Sequence, residues 1–348
     1  MLTTAAKSTT EQAKFKIHNE FCARLLKIPG PKVKLVHPPD NSAPPLSFRF
    51  INESTLGKGV EPTDKNFVIG CGFGKGPYKC RPHMGQNIGC EYSRLCECLE
   101  FASIDEKRLT AEEKELHRRK ELDPIGAPKR FPYFQADAKV HPECLQPFYL
   151  ASRNPIYECN PSCMCGPNCK TRVVQKGRKV PLEIFKTKDR GWGIRSTVDL
   201  VQGQFIDTYR GEIITNEEAD RREEKAPEGK GLSYLYTLDK HVGDMGLRTE
   251  DCYVVDGEYM GGPTRFMNHS CEPNCRQYTV SYNKYDIKKY ELVFFAFMPI
   301  RAGTELTFDY LDKDDIEDDG NKTIESSQDR KTMKCYCGSR RCRGQLWI

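Results

Sequence analysis

No stretch of the sequence approaches the roughly 18 consecutive apolar residues of a membrane-spanning helix, so a helical span is not expected anywhere in the 348 residues. The first nineteen residues lack the apolar centre of a secretory signal and include Glu11, so secretion is not expected either. Both phosphate-binding signatures, Gly-x-x-x-x-Gly-Lys and Gly-x-Gly-x-x-Gly, are missing. Their absence argues against nucleotide hydrolysis and dinucleotide redox chemistry. A dominant charge is missing too: 54 basic residues face 49 acidic ones, and a net charge of +5 is too mild to imply nucleic-acid binding by itself. There is no internal repeat.

What is abundant is cysteine. There are 17, clustered rather than spread. Without a secretory signal the expected setting keeps thiols reduced, and clustered cysteine there reads as metal binding. A disulfide scaffold is the alternative, disfavoured by the tight Cys-x-Cys pairs.

Along the chain, residues 1–45 read as an N-terminal arm rich in Lys and Pro. A short strand is expected from Phe48 to Ile51. A charged insert runs from Asp105 to Arg130, with Thr110 and Glu113 forming a capping box for a helix over 110–122. Beyond Val173 the pattern turns to short strands with Gly-rich turns: Val180–Phe185, Gly203–Tyr209, Ser233–Asp239, Tyr253–Asp256, Leu292–Phe297 and Glu305–Tyr310. This predicts a mainly β domain with short helices. Thr215 and Glu218 form a second capping box. Residues 312–333, dense in Asp and Glu, read as an acidic linker.

The first two cysteine clusters hold nine thiols: Cys71, Cys80, Cys90, Cys96, Cys98, Cys159, Cys163, Cys165 and Cys169. Isolated tetrahedral zinc takes four ligands. Nine suits three ions, because six terminal and three bridging thiolates supply the twelve bonds. Cys159-x3-Cys163-x-Cys165-x3-Cys169 is the most specific segment; four unrelated buried thiols are the alternative. His83 is read as a loop residue, since nine thiolates complete the count. The third cluster, Cys335-x-Cys337-x4-Cys342, supplies only three ligands and needs a fourth. Cys22, Cys144, Cys252 and Cys275 remain as free thiols.

Three further motifs lie between the clusters. Gly191-Trp192-Gly193 would let backbone approach a ligand closely, although alone it is often only a turn. Arg265-Phe266-Met267-Asn268-His269-Ser270-Cys271 gathers polar groups at one point. Glu305-Leu306-Thr307-Phe308-Asp309-Tyr310 ends a strand on a tyrosine. In this order, with Tyr209-Arg210-Gly211-Glu212, the motifs resemble a SET-domain lysine methyltransferase of the Suppressor-of-variegation class, which acts on histone H3 at lysine 9, in its short fungal form. The resemblance covers residues 45–348. It implies a pre-SET three-zinc cluster over 46–173, a SET domain with a knot-like crossing over 174–311, and a post-SET zinc loop over 334–348.

The resemblance also implies site roles. Gly191, Trp192, Gly193, Tyr234, Arg265, Asn268 and His269 would hold S-adenosylmethionine. Tyr310 would be the catalytic tyrosine, assisted by Tyr209, Asn268 and His269. Tyr209, Tyr236, Phe308 and Trp347 would line a lysine channel. Cys271 would complete a fourth zinc with Cys335, Cys337 and Cys342. Phenylalanine at 308 implies di- and trimethylation, since a tyrosine there would restrict the amine. Two departures stand out. Phe73 occupies the place of the family's second cysteine, read here as an insertion with Cys80 in that role. Tyr236 replaces the usual phenylalanine.

The expected partners are the histone H3 tail and nucleosomal chromatin, in the nucleus and in heterochromatin formation. No chromodomain pattern is present, so a recruiting protein is expected, and no membrane. A non-histone lysine substrate, or a zinc-stabilised scaffold without catalysis, are the competing readings. Tyr310, Asn268, His269 and the complete rear cysteine set favour activity.

Overall fold

The computed structural model describes residues 2–68, 70, 97–124, 126–134, 139, 142–165, 167, 169–225, 234–311 and 332–347. In chain order the strands begin with β1 (Val33–Leu35), β2 (Arg49–Phe50), β3 (Thr55–Leu56) and β4 (Ile156–Tyr157). Then come β5 (Leu182–Lys186), β6 (Trp192–Ser196), β7 (Phe205–Tyr209), β8 (Glu212–Thr215), β9 (Leu235–Thr237), β10 (Tyr253–Asp256) and β11 (Met260–Gly261). The last are β12 (Asn268–His269), β13 (Cys275–Ser281), β14 (Glu291–Ala296), β15 (Thr307–Phe308), β16 (Thr332–Lys334) and β17 (Gln345–Trp347). Among the described residues four α-helices accompany them: α1 (Leu2–Leu25), α2 (Ala111–Arg118), α3 (Pro147–Ser152) and α4 (Asn216–Glu224). Among the described residues no helix is long and apolar enough to cross a membrane.

The central sheet has the order β4-β13-β14-β7. Strand β14 reads Glu-Leu-Val-Phe-Phe-Ala, an apolar run suited to burial on both faces. Its period-2 alternation sends Leu292, Phe294 and Ala296 into the main core, and Val293 and Phe295 into a second core. Tyr133, Leu145, Tyr149 and Val173 form the other side of that second core. The cysteine-rich front part of the chain therefore packs on one face of the sheet, and the site is built on the other. A second sheet, β3-β8-β10-β9, carries Tyr236 on its terminal strand.

The stretch expected as an arm is not one. Helix α1 buries His18, Phe21 and Leu25 on a single face, at three- and four-residue spacing. Phe21 packs edge-on against Phe50 at 5.5 Å, and β1 pairs in parallel with β5. Thr110 and Glu113 make the full expected capping box, but α2 ends at Arg118 rather than 122. The second box is half made. Thr215 accepts from the Glu218 N–H, whereas the Glu218 carboxylate turns to Arg221 and Arg222. The expected strand over Glu305–Tyr310 shrinks to Thr307–Phe308, and β6, β8 and β13 were not foreseen. The expected acidic linker lies outside the described residues up to 331, and its last two residues belong to β16.

Candidate active site

Short parallel pairing of β12 with β15 sets Asn268 beside Thr307 and His269 beside Phe308. That register brings two sequence motifs, nearly forty residues apart, to the wall of one cavity of about 370 Å³. Tyr209, Tyr234, Tyr236, Phe308 and Tyr310 line one part of it, and Arg190, Arg265, Asn268 and His269 another. Asp189, Thr264 and Met267 add to the lining, and the remaining wall comes from the far end of the chain, with Met333 to Cys337 and Leu346.

Four of these rings form a chain of contacts between their centroids. Tyr209 lies 4.7 Å from Tyr236, which lies 5.9 Å from Phe308; Phe308 lies 4.8 Å from Tyr310. The Tyr310 hydroxyl donates to the Met267 carbonyl at 2.8 Å, and the Tyr209 hydroxyl to the Tyr234 carbonyl at 2.9 Å. Each hydroxyl therefore keeps oxygen lone pairs as its remaining hydrogen-bonding capacity. Burial raises both phenols well above the ordinary tyrosine value, so neither ionises near neutral pH.

His269 is fixed by its neighbours. The Tyr310 backbone N–H donates to its Nδ1 at 3.2 Å, so the ring proton belongs on Nε2, which faces the Cys271 sulfur at 3.2 Å. Burial lowers the imidazole to about 4, keeping it neutral; Asp309 opposes this, while Arg343 and Arg190 add to it. The Arg265 guanidinium stacks over the Tyr234 ring at 4.0 Å.

Gly191, Trp192 and Gly193 stand behind the cavity rather than in its lining. Gly191 has φ +68°, which the turn into β6 requires, and the Trp192 side chain packs on the main core. The Trp192 carbonyl accepts from Asn268 Nδ2 at 3.2 Å. Trp347 ends β17, paired with Thr332; its side chain lies outside the described residues. Arg190, Met267, Met333 and Tyr336 line the cavity without having been singled out. Arg190 adjoins the Gly-Trp-Gly turn, Met267 lies inside the Arg265–Cys271 motif and Tyr336 between Cys335 and Cys337, so adjacency in the sequence is the signal that points to these three.

The sulfurs of Cys271, Cys335, Cys337 and Cys342 all lie within 4.8 Å of one another. The Cys271–Cys335 separation is 3.9 Å, near the tetrahedral edge of about 3.8 Å that zinc–sulfur bonds of about 2.3 Å imply. Burial would raise the Cys337 thiol, but hydrogen bonds from the Cys271 and Ser339 backbone and the Ser339 hydroxyl bring it to about 6. Two ion pairs bind the same loop to the core, Arg343 with Asp309 and Arg341 with Glu272. In front, Cys98, Cys159 and Cys163 form one group and Cys159, Cys165 and Cys169 another. Cys159 belongs to both, as a bridging thiolate would. Cys71, Cys80, Cys90 and Cys96 lie outside the described residues. The buried Arg172 guanidinium reaches the Cys165 sulfur at 3.7 Å, placing positive charge beside a thiolate-rich group.

The SET domain family matches residues 191–311 and the Pre-SET motif residues 27–172. The Neurospora crassa H3 lysine-9 specific histone-lysine N-methyltransferase dim-5 is 39% identical over 320 residues, covering 90% of this chain and 88% of that protein. This chain belongs to the SET-domain histone-lysine methyltransferases of the Suppressor-of-variegation class. The solved structure of the Neurospora SET domain protein DIM-5 superposes on this SET-domain enzyme with a TM-score of 0.65 at 37% identity, covering 82% of this chain and 97% of that one. Arabidopsis thaliana SUVH6, solved in complex with SAM, matches with a TM-score of 0.59 at 25% identity, covering 92% of this chain and 54% of that one.

Proposed function

We propose that this methyltransferase transfers methyl groups from S-adenosylmethionine to lysine 9 of histone H3, in the nucleus, and carries the product to the di- and trimethyl states. One observation carries the reading: five aromatic side chains and the Asn268–His269 pair converge on a single cavity closed by the loop that bears Cys335 and Cys337. The H3 lysine-9 specificity of the Neurospora relative supports the choice of substrate. The SAM complex of SUVH6 supports the choice of donor.

The donor supplies its methyl group from a sulfonium cation. Displacement at a methyl carbon is in-line, so the acceptor nitrogen has to arrive aligned and unprotonated. Free lysine has a pKa near 10.4. A channel of Tyr209, Tyr236, Phe308 and Tyr310 removes water from the ammonium and lowers that value by desolvation. The same rings accept a methylated cation by cation–π contact. Tyr310 and Tyr209, their protons directed to carbonyls, offer oxygen lone pairs to the amine N–H groups and orient the nitrogen. Because both phenols titrate high, they position rather than act as bases, and water takes the proton. Arg190, Tyr234, Arg265, Asn268 and His269 form the donor end. Cys271, Cys335, Cys337 and Cys342 would hold one zinc, and the front cysteines a cluster of three.

Incubation with labelled S-adenosylmethionine and H3 peptides tests the reading. The peptide with lysine 9 intact should be labelled and the peptide with that lysine replaced should not. Equal labelling of both would reject the assigned position. No labelling of either would favour a non-histone substrate.

A further inference from the structure

Behind the cavity, one carboxylate touches two of its lining residues. Glu305 Oε1 accepts from Asn268 Nδ2 at 2.8 Å, and Oε2 pairs with the Arg190 guanidinium. Arg190 also donates to the His269 carbonyl at 3.1 Å. The second Asn268 amide proton goes to the Trp192 carbonyl. An amide has only two N–H bonds, so both are committed on the protein side. Its Oδ1 is left for whatever fills the cavity. A flipped amide would set its NH₂ against that occupant and its oxygen against two acceptors.

The clamp depends on Gly193. A Cβ at that position would fall 2.8 Å from Glu305 Oε1 and 3.3 Å from Asn268 Nδ2. Thr187 Cγ2 would stand equally close at 2.8 Å, so a side chain there would displace the carboxylate, the amide or this threonine, which gives the glycine a reason independent of any ligand. Glu305 itself is not in the cavity lining and is only 17% exposed, so it acts through its partners.

We propose that Glu305 is a positioning residue for the donor end of the site: it fixes the Asn268 amide so that Oδ1 presents an acceptor to a hydrogen-bond donor on the ligand, and it holds Arg190 alongside. This rests on the reading of the cavity as the S-adenosylmethionine site. The ligand group that meets Asn268 is then an N–H or ammonium, and not a carboxylate.

Calorimetric titration with S-adenosylhomocysteine, the demethylated donor, tests it. The wild type has to bind first; if it does not, the reading of the cavity fails, and the role of Glu305 with it. Given binding, Glu305→Gln raises Kd about tenfold, because a carboxamide offers one acceptor where two donors need one each. The peptide KM and the thermal midpoint change little. In an Asn268→Ala background the same substitution costs only about two- to threefold, the share carried by Arg190. Equal losses in the two backgrounds, or an equal weakening of donor and peptide, would overturn the proposal. Should Glu305→Gln fail to fold, Glu305→Asp in the same cycle retains the charge, withdraws both oxygens and carries the same expectation.

Discussion

Tyr310 and Phe308 differ by one oxygen, and the channel uses that difference. Tyr310→Phe removes the lone pairs that orient the amine while leaving the ring in place. A misplacement of this kind costs about 10²-fold in rate, so kcat should fall by that order while peptide binding persists; a steady-state comparison checks it. Phe308→Tyr adds a hydroxyl beside Tyr236 and Tyr310. One new hydrogen bond of about 1 kcal/mol slows the later transfers several-fold, so the product should be mainly monomethyl-lysine. Efficient trimethylation by that variant, read by mass spectrometry, would refute the argument. The pH profile follows from the same burial. Phenolate formation is disfavoured in the fold, so both tyrosines remain neutral above the ordinary value of about 10. The rate should rise with pH as the substrate amine loses its proton, with no fall up to pH 10 that Tyr310→Phe abolishes.

At the scale of elements, α1 backs the site from a distance. Phe21 is fully buried and lies edge-on to Phe266 at 6.4 Å, two residues before Asn268. Phe21→Ala should cost about 3–5 kcal/mol of stability, measurable by denaturant unfolding, with activity falling only as the fold is lost. The sequence did not announce this helix. Among the described residues its buried face holds only His18, Phe21 and Leu25, and a Lys- and Pro-rich run follows it, so composition suggests an arm. Strand β13 was hidden in a similar way, because Arg276 and Gln277 interrupt its alternation although the strand is central in its sheet. What could be read was chemistry with fixed spacing. Cys335, Cys337 and Cys342 visibly lacked a fourth ligand, and the family resemblance named Cys271, whose sulfur lies beside the other three. The Glu305 clamp was illegible because its partners, Arg190 and Asn268, meet only through the fold. Trp192 shows the opposite case: its motif is prominent in the sequence, while its side chain packs against the core and its carbonyl meets Asn268.

Across the whole molecule, the two cysteine assemblies differ in shelter. Among the described residues, Cys98, Cys159, Cys165 and Cys169 are buried and Cys163 is half-buried in front, whereas at the rear Cys335 is buried and Cys271, Cys337 and Cys342 are half-exposed. Mild chelation should therefore strip the rear metal first. Activity should vanish with release of about one zinc while the fold persists, and unfolding should require further loss. Activity, released zinc and circular dichroism followed together check this; simultaneous loss of all three would contradict it. The asymmetry has a structural basis, since Cys98, Cys159, Cys165 and Cys169 share a buried cluster with Leu99, while Cys335 and Cys337 line the cavity.

The order of synthesis gives the cavity wall another consequence. Met333 to Cys337 and Leu346 close a site whose other lining residues lie between 189 and 310. A ribosome that has released everything through Tyr310 has made the aromatic channel and the Asn268–His269 pair, but not the wall that completes them. Methyl transfer is therefore expected only once residues 333–346 have emerged and folded back onto the earlier part of the chain.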